Sequence, residues 1–301
     1  MQVKVAEQVI LPSSEWQAMH YLGTVPIDRV RIMGVINVSP ESFYKESVRI
    51  SAREIARAAS EMEEQGADFI DIGAMSTAPY LKTMISEEEE IKRIKVAVMA
   101  AKDGSSLPIS VDTPRAATAE AALNSGATIV NDVTGLKFDA MMARTIHDHD
   151  ASAIVCAYER HTVSGDAMLT TVNALRSSIF IAKNANIRSN RIAVDPAIGF
   201  FRKNGTHPFF TKIRGNWFKR DLTLISKLKK LQVLRKPICI SVSRKSFIGK
   251  ILDLENPNDR LFGSITAEAV CVINGTRIVR THNVRETRDA VKMVEALIDY
   301  Y

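Results

Sequence analysis

Eight short β-branched runs recur along the 301-residue chain, and each is followed by a stretch with helical start signals. The runs cover 31–37, 69–73, 108–112, 128–132, 152–157, 191–195, 238–243 and 277–282. Strands that read as continuous apolar runs are buried on both faces, as in parallel sheets covered by helices. Eight strand–helix units in strict alternation exceed what an open doubly wound sheet usually holds. They predict the α/β class and a closed (β/α)8 TIM barrel. Ser51-Ala-Arg-Glu54 is a capping box, Ile55, Ala58, Ala59 and Met62 form one apolar stripe, and Gly66 closes the helix. Ser86-Glu-Glu-Glu89 and Asn283-Val-Arg-Glu286 open two more helices, and others are expected over 115–125, 140–148, 170–186, 221–234 and 259–273. The barrel is assigned to 29–301. Residues 1–28 form an N-terminal extension, and whether they cap the barrel floor stays open.

Polar residues end nearly every strand: Asn37, Asp112, Asn131, Asp195, Lys245 and His282. In a barrel these positions converge on the carboxyl-terminal mouth, where catalysis sits. Ser243-Arg-Lys-Ser246 and Arg280-Thr-His282 end the last two strands, and barrels frequently bind phosphate there. Two guanidinium groups, an ammonium and an imidazole on adjacent strands suit an anion such as pyrophosphate. Asp112, Asn131, Asp132 and Asp195 form an acidic and amidic wall suited to the donor edge of a heterocycle. Taken singly, Asp132 or Asp195 reads equally well as a helix cap or loop anchor. No nucleophilic triad accompanies His282, and no HExxH motif occurs. His147 and His149 read as a solvated helix end.

Composition places the protein among soluble globular chains, with 46% hydrophobic and 25% charged residues. Cys156, Cys239 and Cys271 are odd in number, lack CxxC spacing and lie in apolar segments, so reduced thiols and a cytoplasmic location are expected. No apolar run approaches the ~18 residues that span a bilayer, and no signal peptide opens the chain, so no membrane partner is expected. Charge is uneven. Between Arg202 and Lys250 lie 14 Lys/Arg and one acidic residue, a block of +13 in a chain of net +6. An anionic ligand is expected there. Lys227, Lys229, Lys230 and Arg235 read as a solvated helix face, and no recognition motif supports nucleic acid. One connection, 200–220, is long and carries six aromatic and six basic residues, which reads as an ordered lid or an oligomer contact.

In order, the chain carries Met33-Gly-Val-Ile-Asn-Val-Ser-Pro-Glu-Ser-Phe43, Gly66-Ala-Asp-Phe-Ile-Asp-Ile-Gly73 with Ser76-Thr77, and Ile109-Ser-Val-Asp-Thr113. Ile129-Val-Asn-Asp-Val133, Asp195-Pro-Ala-Ile-Gly-Phe200, Ser243-Arg-Lys-Ser-Phe247 and Arg280-Thr-His282 follow. This set resembles the dihydropteroate synthases. The resemblance implies a transferase on a (β/α)8 barrel that joins 4-aminobenzoate to the methylene carbon of a dihydropterin pyrophosphate, with Mg2+, in folate biosynthesis. It implies that Asp112, Asn131, Asp195 and Lys245 hold the pterin and that Arg280 lies against the ring. Asn37 and His282 would address the pyrophosphate, with Asn37 as the metal ligand. Thr77 would contact the leaving group and Ser246 the aminobenzoate. Asp112, Lys245, Arg280 and His282 are the expected catalytic residues, and a homodimer is usual for the resembled family.

The chain departs from that pattern around the mobile loops. After Gly73 the family usually reads Gly-Glu-Ser-Thr-Arg-Pro-Gly, whereas this chain has Ala74-Met-Ser-Thr-Ala-Pro-Tyr80 and so lacks the arginine at Ala78. Tyr44-Lys-Glu-Ser47 replaces an acidic-glycine tail, and Cys156-Ala157 replaces a His-Met pair. Ala197 replaces a glycine, and Phe201-Arg202 replaces Gly-Lys. Lys45, Arg202 or Lys203 is expected to supply the missing cation, and an arylamine other than free 4-aminobenzoate, such as a ribosylated one, is open. Two alternatives stand: a pterin-dependent methyltransferase on the same barrel, which would not need the anion wall, and a non-catalytic pterin- or nucleic-acid-binding protein.

Overall fold

A computed structural model describes residues 19–39 and 51–300. The Tyr44–Ser47 departure and Lys45 lie outside the described residues. The eight expected strands are present: β1 (Arg31–Asn37), β2 (Phe69–Gly73), β3 (Ile109–Asp112), β4 (Ile129–Asp132), β5 (Ser152–Cys156), β6 (Ile192–Asp195), β7 (Cys239–Ile240) and β8 (Ile278–Thr281). They pair in parallel in the order β7-β8-β1-β2-β3-β4-β5-β6. A parallel bridge between Val194 and Ile238 joins β6 to β7 and closes the ring. Closure leaves no sheet edge, so every strand buries both faces.

Helices surround the ring: α1 (Ala52–Glu64), α2 (Glu87–Gly104), α3 (Ala116–Asn124), α4 (Met142–Asp148), α5 (Ala167–Asn184), α6 (Trp217–Ser226), α7 (Ser246–Leu252), α8 (Leu261–Ile273) and α9 (Val284–Asp299). The capping box at Ser51 forms as read, with Glu54 answering the Ser51 side chain. Two expectations shift. The helix expected over 221–234 starts at Trp217, because Asn216 Oδ1 accepts from Phe218 N at 3.0 Å and Lys219 N at 3.2 Å, and its second half is the 3-10 turn Leu228–Leu234. Asn283 precedes α9 without capping it, since its Oδ1 accepts from Arg244 Nη2 at 2.9 Å.

Inward residues of seven strands build a floor. Met33, Phe69, Ile129, Ile154, Ala193, Cys239 and Ile278 pack together, and Leu22 of the hairpin formed by Tyr21–Leu22 and Val25–Pro26 joins them from below. The described part of the extension therefore plugs the barrel bottom. Asp68 fastens that end, accepting from Arg29 at 2.6 Å, Arg31 at 2.8 Å and Arg288 at 3.1 Å. Gly34 on β1 admits the helix layer: a Cβ there would meet Met62 Sδ at 2.6 Å and Val284 Cγ2 at 3.0 Å. A sealed floor leaves the opposite end as the open one.

Candidate active site

Strand register sets the upper wall. Asn37 on β1 pairs with Gly73 on β2, Gly73 with Asp112 on β3, and Asp112 with Asn131 on β4. One row thus carries an amide, a gap, a carboxylate and an amide. Gly73 keeps the gap open, since a Cβ there would lie 3.6 Å from Asn37 Oδ1 and 3.8 Å from Asp112 Cβ. Above the floor opens a cleft lined by Asn37, Thr77, Asp112, Lys245, Ser246, Arg280 and His282, with Arg202, Tyr80 and Phe200 among others. Seven of the nine residues expected from sequence thus share one cavity.

The other two, Asn131 and Asp195, sit in its buried shell and do not line it. Asn131 Nδ2 reaches Asp71 Oδ2 at 3.4 Å, and Asp195 Oδ1 accepts from Ala197 N at 2.6 Å. Asp132 proves to be the loop anchor that one reading allowed. Its carboxylate accepts from Thr134 N and Leu136 N, both at 2.7 Å. Arg244 is a second correction. The chain turns through left-handed backbone there (φ 59°), and the side chain donates to Pro257 O, Asn258 O and Asn283 Oδ1, leaving the cleft. The second guanidinium of the mouth is instead Arg202.

Arg280 joins the walls. Its Nε donates to Asp71 Oδ2 at 2.6 Å and its Nη2 to Asp112 Oδ2 at 2.8 Å. Asp71 was not singled out from sequence. The available signal was a carboxylate in mid-strand, inside a run whose other members are apolar or glycine. Such a buried charge persists only with a partner. Lys245 Nζ lies 4.5 Å above the Phe200 ring, beside Gly199, whose φ of 89° and lack of a Cβ let the lysine stem pass.

Burial dominates the electrostatics. It pushes the Asp112 carboxyl up to about 7 against the pull of Arg280, and the Asp195 carboxyl up to about 6. It lowers Lys245 to about 8, with Arg280 adding repulsion. Burial and the neighbouring Arg280, Lys245 and Arg244 take His282 down to about 3, so this imidazole is neutral. The anion wall expected from sequence therefore carries cations at Lys245 and Arg280 and a hydrogen-bonding group at His282. Its Nδ1 lies within hydrogen-bond distance of Ser243 Oγ, at 3.0 Å.

The 200–220 connection is ordered. Phe201–Arg202 and Thr211–Lys212 form a two-residue parallel ladder, and Phe209 is 1% exposed. Thr206 N donates to Pro79 O at 2.8 Å, and His207 Nε2 bonds Ala78 O at 3.0 Å. The segment clamps the loop carrying Thr77 and Ala78, as a side wall of the mouth. Lys203 is exposed, whereas Arg202 is buried against the cleft; Lys227, Lys229, Lys230 and Arg235 are solvent-facing as read. Among the described residues no group of three or more His, Cys, Asp or Glu side chains could hold a metal ion. All three cysteines are buried and unpaired, and no helix among the described residues is long and apolar enough to cross a membrane.

Comparison with known proteins gives the same picture. The family profile described as pterin binding enzyme matches residues 33–282. The dihydropteroate synthase of Clostridium beijerinckii is 31% identical over 273 residues, covering 90% of this chain and 95% of that protein. That of Bacillus subtilis is 30% identical, covering 90% of each. A solved dihydropteroate synthase from Clostridium difficile, determined in the presence of pteroic acid, superposes with a TM-score of 0.78 at 34% identity, over 90% of this chain and 97% of that one. The Thermus thermophilus enzyme in complex with 6HMPPP superposes with a TM-score of 0.76 at 30% identity, over 93% and 100%.

Proposed function

The chain belongs to the family of pterin-binding enzymes that includes the dihydropteroate synthases, and on that premise we propose how its cleft performs the synthase reaction. It condenses 6-hydroxymethyl-7,8-dihydropterin pyrophosphate with an arylamine, forming a C–N bond and releasing pyrophosphate. The observation that carries this reading is the meeting of Asp112, Lys245, Arg280 and His282, from β3, β7 and β8, in one cleft. A methyltransferase would have no use for Lys245, Arg280 and His282 around a leaving group.

Asp112, with Asn131 and Asp195 behind it, faces the nitrogen edge of the pterin. As the C–O bond to pyrophosphate breaks, positive charge spreads into the ring, and the two carboxylates stabilise it in a water-poor cleft. Arg280, held in plane by Asp71 and Asp112, lies against the ring. His282 offers its neutral imidazole as a hydrogen-bonding group to the departing pyrophosphate, and Lys245 adds charge. Thr77 offers a hydroxyl to the same group. Ser246 lies toward the amine, which attacks the methylene carbon and then loses its proton.

Asn37 is the residue suited to Mg2+. Its amide oxygen is a hard donor at the cleft edge beside the open face of Gly73. A cation held by one protein oxygen, substrate phosphates and water suits Mg2+, which rarely takes an all-protein cage. When bound, Mg2+ would neutralise charge on the pyrophosphate. A homodimer is supported by exposed apolar residues on two neighbouring helices, Phe262, Val270 and Ile273 on α8 and Met293 and Leu297 on α9, which such an assembly would bury. Reduced buried thiols fit a cytoplasmic setting.

The deciding experiment is pyrophosphate release from the dihydropterin substrate, with 4-aminobenzoate and with other arylamines. Turnover requiring both substrates is expected. Tight pterin binding without release would return the chain to the non-catalytic alternative, and salt-sensitive nucleic-acid binding without turnover would favour that class outright.

A further inference from the structure

The loop that carries Ala78 in place of the family's arginine is tied, through Thr206 and His207, to the segment that carries Arg202. Arg202 is 8% exposed, lines the cleft and donates from Nη2 to Ser246 Oγ at 2.9 Å. Its guanidinium stacks 3.9 Å from the centroid of Trp217. One carboxylate serves two guanidinium groups here. Asp221 lies 3.6 Å from Arg202 Nη1 and 3.0 Å from Arg220 Nη1. Arg220 is spent on Pro196 O, Ala197 O and Thr171, away from the cleft. The trio retains one positive charge, and Arg202 is the member that presents it to the cavity.

Topology says which substrate it meets. His282 follows β8 and Asn37 ends β1, and these strands are neighbours in the ring. Arg202 and Ser246 follow β6 and β7, on a different arc. A pyrophosphate met by His282 and Asn37 at the β8–β1 rim, with Lys245 at its edge, leaves Arg202 and Ser246 for the other substrate. We propose that Arg202, fixed by Trp217 and Asp221 and acting with Ser246, is the specificity-determining residue that reads a single compact anionic group, a carboxylate, on the arylamine. This rests on the synthase reading above. A planar fork against a hydroxyl matches a carboxylate bidentately. Neutral arylamines, and arylamines carrying a bulky uncharged sugar, would leave this buried charge unanswered.

The test uses the full-length enzyme with 4-aminobenzoate, its neutral isostere 4-aminobenzamide, and dihydropterin pyrophosphate, each varied in turn. Wild type is expected to favour the carboxylate. Arg202→Gln is expected to raise KM for 4-aminobenzoate about tenfold or more, while KM for 4-aminobenzamide and for the pyrophosphate substrate each stays within about twofold. Arg202→Lys, which keeps charge and loses the fork, should fall between, and carries the comparison should Arg202→Gln fail to fold. A rise confined to the pyrophosphate substrate, or an equal loss with both amines, overturns the proposal. Wild-type turnover with neither amine, nor with any other arylamine of the pyrophosphate-release assay, would instead sink the synthase reading on which it rests, whereas turnover confined to an uncharged arylamine overturns the proposal alone.

Discussion

Arg280 holds one buried carboxylate with Nε and another with Nη2, so its ring-facing plane is set before any substrate arrives. Preorganised groups of this kind lower a barrier because they need no rearrangement as charge develops. Removing one typically costs about 2.7–4 kcal/mol in transition-state stabilisation. Asp112→Ala and Lys245→Ala are therefore each expected to lower kcat at least about a hundredfold with an unchanged far-UV spectrum; a folded variant at either site with near-normal turnover would refute the assigned roles. Lys245 also sets a pH limit. Burial brings its ammonium to about 8, so the fraction charged falls above that pH. A plot of kcat/KM for the pterin substrate should descend on the alkaline side near this value, and a profile flat to pH ~10, the ordinary lysine range, would contradict it.

Helices and loops decide whether these side chains stay in place. Asn216 starts α6, the element whose first residue, Trp217, carries the Arg202 stack. Asn216→Ala removes that cap and is expected to cost about 1 kcal/mol in urea unfolding, with a rise in KM for 4-aminobenzoate as Trp217 loosens. Between α8 and α9, Glu268 is fully buried: Oε2 accepts from Thr287 Oγ1 at 2.7 Å, while Oε1 has no protein partner. Burial lifts this carboxyl to about 7, above its ordinary value of 4.5. The folded chain thus holds a proton here at pH values where the unfolded chain has released it, and the associated stability fades as pH rises through 7. Glu268→Gln cannot ionise, so its stability relative to wild type should climb between pH 6 and 8 by about 1 kcal/mol. A difference independent of pH would mean that Glu268 is ionised when folded.

At the scale of the whole molecule, charge is sorted as much as folded. A +6 chain gathers 14 of its 40 basic residues between Arg202 and Lys250, around the β6 and β7 side of the mouth. Such a field raises the local concentration of anions and is screened by salt. Raising monovalent salt from about 0.05 to 0.5 M should increase KM for the pyrophosphate substrate several-fold and leave KM for 4-aminobenzamide nearly constant. Equal salt responses for the two would show that the basic block does not steer substrate. Among the described residues, the opposite pole of the molecule is closed by Leu22 and the Asp68 ion cluster.

Much of this was written in the chain itself. Apolar runs of strand length, alternating with capped amphipathic helices, admit few solutions other than a closed parallel barrel, because each strand must bury both faces. A residue at a strand's carboxyl end must then sit at the mouth, so Asn37, Asp112, Lys245, Arg280 and His282 were legible by position. What stayed hidden depended on direction and on neighbours distant in sequence. Arg244 and Lys245 are adjacent, yet a left-handed backbone turn sends the first into a loop and keeps the second in the cleft. Asp71 gained meaning only when β8 brought Arg280 beside it, 209 positions away. His282 lost its expected charge because burial, with Arg280, Lys245 and Arg244 nearby, disfavours the protonated ring. Local pattern determines which elements form and how they alternate, since periodicity and capping act within a few residues. Charge state, side-chain aim and the pairing of Arg202 with Ser246 belong to the tertiary structure, since burial and electrostatic neighbours exist only after the barrel has closed.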